Sequence, residues 1–265
     1  MTDRLPPRTK TEDHAAEIDR CNQRGGRMLS VVDLLDAGTL DTALAAYFLA
    51  VIGKGHSFMI GAGPGGAGKT TIMCALLNFI PRDMPLIVAA DPRVIRAGLA
   101  GGSRACFLCH EIGRGHYFAY LWGAAAAAFF DLPAAGHMIA TNLHADSREE
   151  ARGQLVDDVG VSPGAFARVS LIAFVTAAPA RGYARRIVAV YESDGAGHRL
   201  VFGHVAAADI FERPEPSRLV TPREELAAAR VLGGVTGSGA RTVSEVRDAI
   251  VRGRMRQDTA ASIEE

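Results

Sequence analysis

From Met28 onward the chain alternates between two kinds of apolar pattern. Leu29, Val32, Leu34, Leu35, Leu40, Ala43, Leu44, Tyr47, Phe48 and Val51 recur at helical spacing in two segments broken at Gly38, which predicts two short helices. Short apolar runs follow at His56 to Gly61, Met84 to Asp91, Ala105 to Cys109 leading into His110 and Glu111, Gly136 to His144, and Ser170 to Thr176. Apolar runs that end in polar residues are what strands covered on both faces show, with any site at their carboxyl ends. Between them the pattern predicts helices over Thr71 to Ile80, stopped by Pro81, over His116 to Phe130 and over Ser147 to Val159. Ala184 to Glu192 and Arg199 to Phe202, around Asp194-Gly195, read as a hairpin. Pro222 to Leu232 and Thr242 to Arg252 read as helices, the second opened by the capping pattern Thr242-x-x-Glu245.

The expected fold class is α/β, a predominantly parallel sheet between helices with a C-terminal hairpin and a helical tail. Residues 1–27, polar and rich in charge and proline, are expected to be a flexible arm, free or laid on a neighbour; 28–205 a core; and 206–265 a helical extension whose last ten residues fray.

Charge narrows the partners. Lys plus Arg and Asp plus Glu number 29 each, so no basic field argues for nucleic acid. The most apolar stretch, Tyr117 to Leu132, is too short for a membrane span, and the first residues lack the apolar core of a signal peptide. A cytoplasmic protein is expected. Four cysteines, Cys21, Cys74, Cys106 and Cys109, agree with a reducing compartment. Cys106-x-x-Cys109-His110 has the spelling of a haem-attachment site or of half a zinc site, yet it falls in a strand entering a turn, with only His116 nearby as a further ligand.

Residues Gly63, Pro64, Gly65, Gly66, Ala67, Gly68, Lys69, Thr70 and Thr71 carry the most specific chemistry. Gly63, Gly68, Lys69 and Thr70 fill the fixed positions of G-x-x-x-x-G-K-[ST], between a predicted strand and a predicted helix. Glycines let backbone N–H groups turn inward with no Cβ in the way, and the helix adds its positive end. The pattern predicts a P-loop NTPase that binds ATP or ADP, with Lys69 on the β- and γ-phosphates and Thr70 on Mg²⁺. Four further residues fall at or beside the ends of apolar runs. Glu111 is the candidate base that orients water, Asp91 a carboxylate near Mg²⁺ or water, and His137 and His144 sensors of the γ-phosphate. Asp91 could instead initiate a turn, Glu111 could sit solvated at a strand end, and the histidines could be hydrogen-bonded core residues.

In order, these segments resemble the type II and type IV secretion, pilus and archaellum assembly ATPases. Gly63 to Thr71 is similar to their Walker A motif, Asp91 lies at their acidic box and Cys106 to Glu111 at their Walker B. The run Ala135-Gly-His-Met-Ile-Ala-Thr-Asn-Leu-His-Ala-Asp-Ser147 resembles their histidine box, and Arg185-Arg186-Ile-Val with Glu192 the hairpin closing their core. The resemblance implies a RecA-like ATPase working as a hexameric ring that powers protein export or filament assembly, held at the inner face of the membrane through anchored secretion or pilus subunits. An arginine from a neighbouring subunit would complete its site, with Arg93, Arg96, Arg104 and Arg114 available.

The chain departs from the family in several places. His110 stands where the family has Gly, Asn142 replaces a Thr, Gln154 replaces an Arg, and an alternative register sets Tyr120 at the position of Glu111. The family's large N-terminal domain has no counterpart in these residues. A degenerate, non-hydrolysing nucleotide-binding subunit is the competing reading.

Overall fold

The computed structural model describes residues 11–21, 26–63, 66–115, 117–178 and 184–264. Its centre is one mixed sheet, of ten strands among the described residues. The strand β1 (Phe58–Gly61) lies between β6 (Met138–Leu143) and β7 (Leu171–Ala178), parallel to both, with Phe58 opposite Ala140 on one side and Leu171 on the other. Beyond β6 come β3 (Cys106–Leu108) and then β2 (Leu86–Val88), also parallel. Beyond β7 the sheet turns antiparallel through β8 (Ala184–Ser193), β9 (His198–Val205) and β10 (Ile210–Glu212). The α/β architecture expected from the apolar runs is therefore present.

Period-two alternation sorts the central strands onto two hydrophobic layers. Phe58, Ile60, Met138, Ala140, Leu171 and Ala173 face one layer, while Met59, Ile139, Ile172 and Phe174 face the other. Both faces are covered, so the strands carry apolar residues without a polar alternation. The first layer is closed by α2 (Val31–Asp36), α3 (Thr42–Ile52), α4 (Lys69–Leu77), α9 (Pro222–Gly237) and α10 (Val243–Glu264). The second is closed by α5 (Pro92–Leu99), α6 (Ala124–Asp131), the helical stretch Arg148–Val159 and α8 (Pro163–Ala167). Within that stretch α7 (Arg148–Arg152) runs into a π-helical segment, Gly153–Val159.

Four details differ from the sequence expectation. Thr11–Arg20 is a helix, α1, and Ile18 and Cys21 are buried in the first core layer, so this part of the expected arm is folded against the body; residues 1–10 and 22–25 lie outside the described residues. The helix expected from His116 begins only at Ala124, because Tyr120–Leu121 forms a short strand, β5, parallel to β4 (Glu111–Ile112). The boundary at 205/206 falls inside the sheet, between β9 and β10, and α9 and α10 share the core of α3 and α4 rather than extending from it. The helix α10 continues through the last ten residues to Glu264.

The helix that follows the glycine loop is held at both ends. Gly68, in left-handed backbone at φ +99°, is the N-cap of α4. At the other end, the buried guanidinium of Arg247 on α10 donates to Asn78 O at 2.8 Å and Ile80 O at 2.6 Å, satisfying carbonyls that a helix end leaves open. Burial lowers the Arg247 pKa to about 10.

Candidate functional site

The loop after β1 turns back over the carboxyl ends of β1 and β6. Gly66 and Gly68 both have positive φ, +86° and +99°, which glycine adopts without strain. Gly63 N–H donates to the Asp146 carboxylate, and a Cβ at Gly63 would collide with that same group. Pro64 and Gly65 lie outside the described residues. Ala67 is buried in the core, while Thr70 and Thr71 are half-buried on the first turn of α4.

Lys69 opens α4 and is 6% exposed. Its Nζ donates to Ala62 O at 3.2 Å, sits 3.0 Å from His144 Nδ1 and lies 3.6 Å from Glu111 Oε1. His144 follows β6, so the register that sets Gly61 beside Leu143 delivers its ring to the loop, where Nδ1 is 3.0 Å from Gly63 O and Nε2 is 3.5 Å from Glu111 Oε1. Nδ1 either carries a proton and donates to Gly63 O, or is bare and accepts from Lys69; it cannot do both at once. Gln154 Nε2 donates to His144 O at 2.7 Å and fixes the backbone at this corner.

Glu111, 5% exposed, starts β4 immediately beyond the end of β3. Its Oε1 is buried and accepts no hydrogen bond; the Lys69 ammonium and the His144 ring lie nearby but beyond hydrogen-bonding geometry. Burial raises the pKa of its carboxyl, against the opposing pull of Lys69 and His144. Burial likewise lowers that of Lys69. Both shifts have the same cause, the cost of holding a charged group out of water. Glu111 pairs opposite Tyr120 in the β4/β5 ladder, and of the two it is the Glu111 carboxyl that approaches Lys69.

Two of the expected site residues lie elsewhere. His137 precedes β6, at the opposite end of that strand from His144. It is 4% exposed, Ala105 N–H donates to its Nδ1 at 3.2 Å, and its Nε2–H donates to Gly98 O at 3.0 Å, with the ring edge-on to Phe107. It is a satisfied core histidine, and the expectation of a phosphate sensor is corrected. Asp91 is the N-cap of α5, beyond the edge strand β2, where it accepts from Arg93 N at 2.7 Å and from the Arg93 guanidinium. The Arg93 contacts hold its pKa down to about 2. The turn-initiating role is the one the geometry shows.

The cysteine motif is likewise resolved by alternation. Cys106 packs into the first core layer and Cys109 into the second, on opposite faces of the sheet, so the two sulfurs cannot grip one metal. Among the described residues no cluster of three His, Cys, Asp or Glu could hold a metal ion. His110 is buried, with Nε2 3.3 Å from Cys21 Sγ on the N-terminal segment, and its backbone oxygen accepts from Asn142 Nδ2 at 2.7 Å. The side chains of Asn142 and Gln154 thus brace the backbone next to Glu111 and at His144, while the His110 ring packs away from the loop against Cys21 and Phe118.

The residue that the pattern did not single out for the site is Arg185, at the start of β8. It lies across the glycine loop, its guanidinium donating to Gly66 O at 3.3 Å. The signal available was the pair Arg185-Arg186 itself, which alternation sends to opposite faces.

No family model matches the chain, and no curated protein matches it. Among solved structures it is similar to the VirB11 ATPase of the Brucella suis type IV secretion system, solved with sulphate, at 21% identity and a TM-score of 0.42, over 74% of this chain and 60% of that one. It is also similar to the Legionella pneumophila ATPase DotB, at 12% identity and a TM-score of 0.36, over 75% of this chain and 53% of that one. The chain thus spans between half and two thirds of the length of these two, and the likeness is a distant one of fold. Among the described residues no helix is long and apolar enough to cross a membrane.

Proposed function

We propose that the chain binds ATP at the glycine loop and hydrolyses it with Mg²⁺. The observation that carries this reading is the buried Glu111 Oε1, without a hydrogen-bond donor, held 3.6 Å from Lys69 at the first turn of a helix that opens on left-handed glycines. Left-handed glycine backbone, a helix N-terminus and a lysine fit a polyphosphate, and a lone buried carboxylate beside them fits the water that attacks it.

In this reading Lys69 neutralises the terminal phosphates. Thr70 would hold Mg²⁺, which when bound screens charge on the transferring phosphoryl group. Glu111 orients a water and takes its proton, and the raised pKa makes it a stronger base than an exposed glutamate. His144, touching Lys69 and Gly63 O, registers whether the terminal phosphate is present. All the residues given a role in this reading fall within 28–205.

The histidine-box resemblance of Ala135 to Ser147 supports the finer part of the proposal: a motor of the secretion or filament type, a hexameric ring acting with membrane-anchored secretion or pilus subunits. Phosphate release by the wild type and by Glu111→Gln, with and without Mg²⁺, tests the hydrolytic part. Turnover that needs Mg²⁺ and falls on the order of 10² to 10⁴-fold in the variant is expected. ATP binding with no turnover in the wild type would favour the non-hydrolysing subunit instead.

A further inference from the structure

Two consecutive arginines begin β8, opposite Ala177 and Thr176 of β7. Strand alternation points them to opposite faces, and their surroundings could hardly differ more. Arg186 is fully engaged. Its guanidinium donates to Asp209 at 3.0 and 3.2 Å and to Ala37 O at 3.0 Å, locking β8 to the turn before β10 and to the end of α2. Arg185 is exposed, is paired with no carboxylate among the described residues, and spends its guanidinium on a single 3.3 Å contact to Gly66 O.

Its stem lies against the glycine loop. A Cβ at Gly68 would come within 2.6 Å of Arg185 Cδ and 2.8 Å of Nε, so the arginine packs directly on the N-cap of α4. If the loop takes a phosphate as proposed above, a guanidinium lying on it gains a better partner than a neutral carbonyl, because charge-assisted hydrogen bonds are roughly twice as strong. Three of the four arginines named above for completing a neighbour's site make other contacts within their own subunit: Arg93 with Asp91, Arg104 with Lys54 O and Gly55 O, and Arg114 over the Trp122 ring at 4.8 Å.

We propose that Arg185 is a polyphosphate-binding residue supplied by the chain itself, which exchanges the Gly66 carbonyl for a phosphate oxygen and makes the loop prefer nucleoside triphosphate to diphosphate. This rests on the nucleotide reading above and adds to it a specificity determinant in the same subunit.

The test is titration of fluorescent ATP and ADP analogues into the wild type, Arg185→Ala and Arg185→Lys, with thermal unfolding of each protein recorded without nucleotide. Arg185→Ala should weaken the triphosphate about 10- to 100-fold, the worth of one hydrogen bond to a charged group, and the diphosphate by much less. Arg185→Lys should recover part of the loss, since a lysine restores the charge without the fork. Unfolding temperatures should be unchanged. Equal triphosphate affinity in the wild type and Arg185→Ala would overturn the proposal and leave the nucleotide site standing. A parallel loss for both nucleotides with a lowered unfolding temperature would show a purely structural arginine. A wild type that binds neither analogue would overturn both readings together.

Discussion

Among the described residues two glutamates are buried, and they live opposite lives. Glu192, on β8 in the antiparallel half of the sheet, is fully buried and receives donors on every side: Tyr47 Oη at 2.9 Å, Arg218 N at 2.7 Å, Arg199 at 2.6 Å and the Ser217 hydroxyl. Burial pushes its pKa up, but the donors from Ser217, Arg218, Tyr47 and Arg199 together outweigh it, and the pKa lies below the ordinary 4.5. Glu111, in the parallel half, is nearly as buried, yet its Oε1 has no donor and its pKa is raised. The same side chain is structural where its hydrogen bonds are closed and chemically available where one is left open. The two ends of β6 repeat the contrast, with His137 closed by backbone partners and His144 set among Lys69, Glu111 and Gly63.

Substitution should separate the two glutamates most strongly. Beside the loss of turnover expected for Glu111→Gln, Glu192→Gln should leave turnover per folded molecule within a few-fold and lower stability by about 2 kcal/mol, because hydrogen bonds to a buried charge are lost. Denaturant unfolding of both variants is the check, and a catalytic defect in Glu192→Gln with unchanged stability would break the comparison.

Acid should distinguish them as well. The raised pKa of Glu111 means that its carboxylate is lost at a higher pH than an ordinary glutamate, so the acid limb of the turnover profile should lie above 4.5 and vanish from the residual activity of Glu111→Gln. The lowered pKa of Glu192 has the opposite sign: its contribution to stability is fully present above 4.5 and is lost as pH falls through the lower folded value. Activity should therefore decline before the fold does.

The histidines give the next effect. His144→Ala should reduce turnover by one or two orders of magnitude, roughly what a positioned polar group contributes, with little change in stability. His137→Ala should do the reverse, at a cost of about 1–3 kcal/mol for the buried Ala105 N–H and Gly98 O that it strands. The smallest effect belongs to Asp91→Ala, which should remove a helix cap at about 1 kcal/mol and leave phosphate release per folded molecule unchanged.

The sheet and the loop were legible because their signals are local. Apolar runs at Phe58, Cys106, Met138 and Leu171 announce strands buried on both faces, and Gly63 to Thr71 states the loop by type and spacing. Which end of a strand a residue occupies was legible only in part. His137 and His144 flank one apolar run, and direction along it, set by the parallel register of β1 and β6, decides that only the second meets Lys69. Asp91 failed for a similar reason, since order along the chain does not reveal that β2 is the edge strand. Arg185 and the folding of Thr11–Arg20 onto the body depend on contacts across the chain that no local pattern encodes.

The central claim is that the open, charged end of the parallel strands is a nucleotide site centred on Lys69. Titration of a fluorescent ATP analogue into the wild type and into Lys69→Ala tests it most directly, because the lysine is the nearest fixed charge in a loop otherwise built of backbone dipoles. Saturable binding by the wild type and its loss in Lys69→Ala, with both proteins folded by circular dichroism, is the predicted result. Equal affinity in the two proteins, or no binding by a folded wild type, would contradict it.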